Sequence, residues 1–354
     1  MVHARLVSTG SVVAMVVAMA IGVVVVAPAG AQTPPLPTVA PTNAEARQVV
    51  ASYNAANQGN NDTLDTEGQA AIESAPIELI DDATFRDVRG RGDTSLHERF
   101  SVDQVRVYVP GQSGYPLQFM ATERVSADGG SFRQVFVFVK ASESDPWRVS
   151  MAAQSSAAPG LPKPVRTRDG AATLLDADHA ATLLAIPETL PQSLADLWAR
   201  EAGEERAPAR VFAEGPLTTG GVDRLVNELA QLGISALVDF EFDAAPYPVI
   251  AYRTAGGGAV CLFTVSVHET IHPSGDGNPG VGDDRLVQPR SRQTFTGLVV
   301  PGDYREVRFD RLAIVAVKIP ERGPDARVEV VGFYDGAIAA TAEAAGTAAA
   351  VGVQ

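Results

Sequence analysis

Two histidines and a glutamate, His268-Glu269-x-x-His272 in the stretch VHETIHPSGDGN, stand at the spacing of a zinc hydrolase site. On a helix, imidazoles at i and i+4 share a face and converge on one ion, while the glutamate acts on the metal-bound water. The residues leading in, VCLFTVSV, are β-branched and aromatic and follow three glycines, which is the composition of a strand. In an extended chain rising about 3.3 Å per residue, the two histidines lie roughly 13 Å apart and Glu269 points to the opposite face. Pro273 then ends regular structure, and Asn278 stands where a third ligand is wanted. The reading is a strand over residues 260–271 running into a glycine-rich loop. No catalytic, metal or cofactor-binding residue is assigned, and Glu269→Gln is expected to have only a small surface effect.

The remaining motifs are shorter. Gly275-x-Gly277-x-x-Gly280 has the spacing of a dinucleotide loop, but VGDDRLVQPRSRQ after it has no helical period, and Asp276, Asp283 and Asp284 would repel a phosphate. The same acids fail the calcium loop of an EF-hand, whose sixth position needs glycine and here holds Val281. Arg91-Gly92-Asp93 and Asn61-x-Thr63 match an adhesion tripeptide and a glycosylation sequon, and both are expected in exposed loops. Cys261, the single cysteine, sits in an apolar run and reads as a small buried hydrophobe, so no disulfide forms within the chain.

The elements that position these residues follow an export signal. His3 and Arg5 precede an apolar run over residues 12–27, and Ala29-Gly30-Ala31 supplies the small-x-small cleavage pattern. Residues 1–31 are therefore read as a signal peptide, with membrane attachment only if that segment is retained as an anchor. The cysteine that carries lipid at the end of a bacterial signal is absent there. A formal net charge of -14, from 28 Lys plus Arg against 42 Asp plus Glu, argues against a nucleic-acid partner. Only Lys140, Lys163 and Lys318 are lysines; the dominance of Ala, Gly, Val and Arg resembles proteins of high-GC actinobacteria.

Residues 32–42 are a Pro-rich linker. Asn43 is read as the cap of a helix to about Asn57, followed by the polar stretch NQGNNDTLDTEG and a short helical segment. Strands come next at SVDQVRVYVP, PLQFMATERV, FRQVFVFVK and DPWRVSMAAQ. Residues 156–170, rich in Pro, Ser and Gly, read as a linker between an α+β module over 43–155 and a second over 171–336, with an Ala-rich tail over 337–354. The second module opens with helices carrying Leu194, Leu197, Trp198 and Ala202, then Val222, Leu225, Val226 and Leu229.

Two hairpins rhyme. YPLQFMATERVSADGGSFRQVFVFVK and YPVIAYRTAGGGAVCLFTVSVHE both start with Tyr-Pro, cross a Gly-rich turn and emerge in a Val- and Phe-rich strand, and DPWRVSMAAQ has a counterpart in DARVEVVGFYDG. The expected fold class is α+β, as a tandem duplication of one module, helices followed by a curved antiparallel sheet.

Helices followed by a sheet closing on a PWRV strand resemble the cone-shaped α+β modules similar to nuclear transport factor 2. The tandem arrangement behind an export signal resembles uncharacterised secreted or lipoprotein-type proteins of actinobacteria. The resemblance covers roughly residues 43–335 and places no catalytic residue on this chain. The resemblance is one of fold; the export signal, the duplicated module and the lack of a consistent catalytic constellation point to an exported, extracellular or cell-envelope, non-enzymatic protein with modules that bind a small molecule or another protein. A secreted zinc-dependent hydrolase using His268, Glu269 and His272 is the alternative.

Overall fold

A computed structural model of the chain describes residues 40–344, apart from 97–98, 128–129, 156–162, 168–169, 203–210, 232–235 and 274–303. The signal segment, the Gly-rich loop after Pro273 with its acids, and the last ten residues of the chain lie outside the described residues.

The first half opens with α1 (Asn43–Thr63), whose cap is Thr42, one residue before the expected Asn43. Thr42 and Glu45 form a reciprocal capping box, with the Glu45 backbone N–H donating to Thr42 Oγ1 at 3.2 Å and the Thr42 N–H to Glu45 Oε2 at 2.7 Å. The helix does not stop near Asn57 but runs through the polar stretch to Thr63, where Leu64 closes it in the left-handed region. α2 (Thr66–Ile72) and α3 (Ile77–Gly90) follow. The strands β1 (Phe100–Tyr108), β2 (Leu117–Ala127), β3 (Gly130–Lys140) and β4 (Arg148–Ser155) then form an antiparallel meander.

The second half carries a single-turn helix α4 (Ala177–Ala180), then α5 (Leu190–Ala202) and α6 (Gly221–Gln231). Its strands are β5 (Ala236–Ala244), β6 (Ile250–Arg253), β7 (Ala259–Pro273), β8 (Tyr304–Ile319) and β9 (Glu329–Ala344). β9 takes in residues 337–344, read from sequence as the start of a tail, because those alanines pair with β8 as far as Tyr304↔Ala344. No helix among the described residues is long and apolar enough to cross a membrane.

The fold is α+β. Helices flank one nine-stranded antiparallel sheet of order β1-β2-β3-β4-β9-β8-β7-β5, with β6 also on β7. The two halves meet in the sheet where Gln154 of β4 pairs with Phe333 of β9. Gly332 makes that approach possible: a Cβ there would sit 3.3 Å from the Cβ atoms of both Ala153 and Ala316. β8 lies between β7 and β9, whereas β4 directly adjoins β3, so the two closing strands that rhyme in sequence occupy different ranks in the sheet.

Alternation along β7 and β8 divides the core. Val260, Leu262, Ile314 and Ala316 join the cluster that includes Val50, Phe119 and Val137 of the first half. Cys261, Phe263, Val315 and Val317 join the cluster of Leu194, Leu197 and Trp198 on α5. Part of the segment read as a linker is stitched to both halves: Val165 N–H donates to Arg253 O at 2.7 Å, and Arg166 bridges to Ala172, whose N–H donates to Val109 O at 2.7 Å.

Candidate functional site

Three helical and strand patterns carry a polar residue where periodicity demands an apolar one, and the fold brings all three together. On α1 the inward positions Ala46, Val50 and Tyr53 are buried, and the same stripe continues as Asn57 and Asn61, with Asn54 beside it. On α3 the stripe of Ile77, Ile80, Thr84 and Val88 includes Asp81. On β2 the inward alternation Phe119, Ala121, Glu123, Val125 puts a carboxyl among core side chains, with Glu123 only 2% exposed.

These residues line a cavity of about 260 Å³ between the helices and the sheet. Its polar wall is Asn54, Asn57, Asn61, Asp81, Thr84, Glu123, Gln134 and Gln154; its apolar wall is Phe85, Leu96, Phe100, Phe132 and Phe136. The strand register explains the sheet side, because Glu123 lies opposite Gln134 and Val125 opposite Phe132. Tyr334 of β9 also reaches the cavity, so the second half completes a site built on the first. The volume exceeds the about 150 Å³ that admits benzene and falls below the roughly 300–1,000 Å³ of drug-sized sites.

The polar groups are tied into a network. Tyr53 donates to Glu73 Oε1 at 2.7 Å and Tyr334 to Asp81 Oδ1 at 2.5 Å. Gln69 donates to Asn57 Oδ1 at 3.1 Å and receives Asn60 at 3.0 Å. Asn54 Nδ2 donates to Glu123 Oε2 at 2.9 Å. Tyr53 is held by edge-on contacts with Phe136 and Phe138 at centroid distances of 5.3 and 5.7 Å, each worth about 0.5–1.5 kcal/mol beyond burial.

Burial raises all three carboxyls, since a charge away from water loses its hydration. Glu123 is pushed up to about 7, with the Asn54 hydrogen bond opposing the rise. Asp81 is pushed up to about 6 by burial, opposed by its hydrogen bond from Tyr334. Glu73, fully buried behind the cavity wall, is raised well above the usual range by burial and then by the charge of Asp81. Burial thus favours the protonated form at all three carboxyls relative to their ordinary state in water. Such a set can accept hydrogen bonds, hold a positive charge or exchange a proton.

The zinc spacing lies elsewhere. His268 and His272 are on strand β7, where the strand reading placed them. His268 Nδ1 lies 2.6 Å from Asp310 Oδ1, and His272 Nε2 lies 3.2 Å from Asp239 Oδ2. Glu269 is 1% exposed and faces the other way, with its Oε1 3.5 Å from Arg311 Nε, so its substitution perturbs a buried ion pair and not a surface. Among the described residues, no group of three or more His, Cys, Asp and Glu side chains is placed to hold a metal ion. Cys261 is fully buried and its thiol is pushed up by burial, away from nucleophilic reactivity.

Of the two surface motifs, Arg91-Gly92-Asp93 lies in an exposed turn as expected, whereas Asn61-x-Thr63 is helical. Asn61 and Thr63 belong to the last turn of α1, with Asn61 on the cavity wall, and Arg91-Gly92-Asp93 forms the turn that ends α3. Sequence reasoning missed Asp81 and Glu123, whose segments it reads only as helical and as a strand, without following their inward faces. Their departure from periodicity is the signal that finds them.

The sequence pattern of the family described as "Domain of unknown function (DUF8094)" matches residues 37–342. An uncharacterized lipoprotein of Streptomyces coelicolor is 24% identical over 276 residues, covering 75% of this chain and 77% of that protein. No solved structure matches.

Proposed function

This chain belongs to the DUF8094 family, and on that premise we propose that it is an exported, envelope-associated protein that binds a small molecule in the cavity of its first half. The observation that carries this reading is the cavity itself, walled by phenylalanines on one side and by Asn54, Asn57, Asp81 and Glu123 on the other. Export is supported by the signal pattern of residues 1–31 and by the lipoprotein relative, whose name is uncharacterized as to ligand. The chain's one cysteine is enclosed in β7, so a lipid could not be attached to it in the folded state.

Each half, with helices preceding antiparallel strands, is read as one cone-like module of the nuclear transport factor 2 kind. The halves share a sheet, and the binding role falls to the first because its helices enclose the cavity. The reading is of a binding protein without catalytic duty. The test is a thermal-shift screen of small fragments against the chain recovered from a secreting host, repeated on Val125→Phe, which places a ring in the cavity. Fragments that stabilise the native chain and not the variant support the reading. Fragments that stabilise both equally refute it.

A further inference from the structure

We propose that the ligand of this cavity is a small organic cation, its ammonium held by Glu123 and Asp81 and its apolar body laid against the phenylalanine wall. The inference rests on the pocket reading above and adds the chemical class.

The first argument is a contrast within the molecule. In the second half a buried and a half-buried carboxylate have arginine partners: Glu269 lies 3.5 Å from Arg311, and Asp335 Oδ2 lies 3.0 Å from Arg224 and 3.2 Å from Arg311. The cavity carries two carboxyls, and none of its lining residues is Lys, Arg or His. Buried carboxylates are ordinarily paired, because an unpaired one loses its hydration with nothing in return. A bound cation supplies what arginines supply elsewhere in the chain.

The second argument is the state of Glu123. Its Oε2 receives Asn54, and among the described residues no donor is placed on Oε1. The residue is 2% exposed and lines the cavity, so that oxygen's remaining partner has to come from the cavity's contents. Asp81 is better provided, with Tyr334 on Oδ1 and Gln69 on Oδ2 at 3.4 Å, and adds charge from the α3 side.

The third argument is the opposite wall. Phe85, Phe100, Phe132 and Phe136 line the cavity and offer apolar surface to the body of the ligand. An anion is disfavoured by both carboxyls. A neutral alcohol could accept the hydrogen-bond geometry but would leave the charges unpaired.

The titratable groups around Glu123 are Tyr53 on α1, Glu73 after α2, Asp81 on α3 and Tyr334 on β9. β1, β3 and β4 contribute Phe100, Phe132, Gln134, Phe136 and Gln154, none of which titrates. Binding of a cation therefore draws any proton it displaces from the carboxyl set.

Benzylamine, benzyl alcohol and benzoate share a ring and differ in head group, so calorimetric titration of all three into the full secreted chain at about pH 8 tests the proposal. Benzylamine is expected to bind about tenfold or more tighter than benzyl alcohol, with benzoate not binding. Glu123→Gln, which preserves shape and the acceptor for Asn54, should lower benzylamine affinity about tenfold and leave benzyl alcohol unchanged. At about pH 6.5, benzylamine binding should release protons, read from the dependence of the heat on buffer ionisation. Benzyl alcohol or benzoate binding as tightly as benzylamine, or a Glu123→Gln chain that binds benzylamine undiminished, overturns the cation while Val125→Phe sensitivity keeps the pocket. Benzylamine binding that Val125→Phe does not weaken, or no binding of any of the three, overturns the pocket reading as well.

Discussion

Replacing Glu123 by Gln should make the protein more stable, and more so as pH rises. Glu123 is buried on the inner face of β2 with one hydrogen bond, from Asn54, and its pKa is raised from the usual 4.5 to about 7. The folded chain thus holds this proton at a pH where the unfolded chain has lost it. A carboxyl raised in this way contributes stability that is fully present below about pH 4.5 and is lost as pH rises through about 7. A rise of that size, at about 1.4 kcal/mol per pH unit, corresponds to about 3 kcal/mol. Gln has the same shape, keeps an acceptor for Asn54 and does not ionise. Urea unfolding of both chains at intervals from about pH 4 to pH 8 should give a difference near zero at the acid end. It should grow to about 3 kcal/mol in favour of Glu123→Gln at the alkaline end. Asp81 and Glu73 titrate in both chains and largely cancel in the difference. A difference that stays constant across the window would refute the reasoning, since it would mean that Glu123 ionises as it does in the unfolded chain.

Other perturbations test neighbouring parts of the account. Tyr53→Phe removes the hydroxyl that donates to buried Glu73 and should cost about 1–3 kcal/mol in urea unfolding, with little change in the fold. Arg311→Met removes the cation beside both Glu269 and Asp335 and should cost about 3–5 kcal/mol in urea unfolding, with only part of it recovered when Glu269→Leu is added, since the Arg311–Asp335 pair is still lost. Purified with zinc and without chelator, the chain is expected to hold no stoichiometric metal through His268 and His272, and metal analysis of His268→Ala should match the parent.

The strands were legible in the sequence because period-two alternation is a local property. β2, β3, β4 and β7 lie where runs such as FRQVFVFVK and VCLFTVSV place them. Joining β4 to β9 was not legible, since that pairing links residues far apart in sequence through small side chains at Ala153, Gly332 and Ala316. The polar end of α1 was not legible as helix, because asparagines take the inward positions where an apolar stripe would mark one. In the fold Asn57 and Asn61 line the cavity, and Asn60 and Gln69 hydrogen-bond to each other beside it. Asp81 and Glu123 were visible as exceptions to periodicity, but only the packing of α3, β2 and β9 shows that the exceptions converge. Glu269 shows the reverse: the zinc spacing drew attention to it, and its observed role is to pair with Arg311.

The central claim, that the cavity between α1, α3 and β2 is a binding site, is tested most directly by locating a bound probe. Methyl NMR of the full chain during benzylamine titration reports on Thr84, Leu96, Val125 and Ala127, all of which line the cavity. The account predicts saturable shifts at these methyls and none at Leu194 or Leu197, which lie on α5 in the other core. Shifts absent from the four lining methyls, or spread equally over both cores, would contradict it.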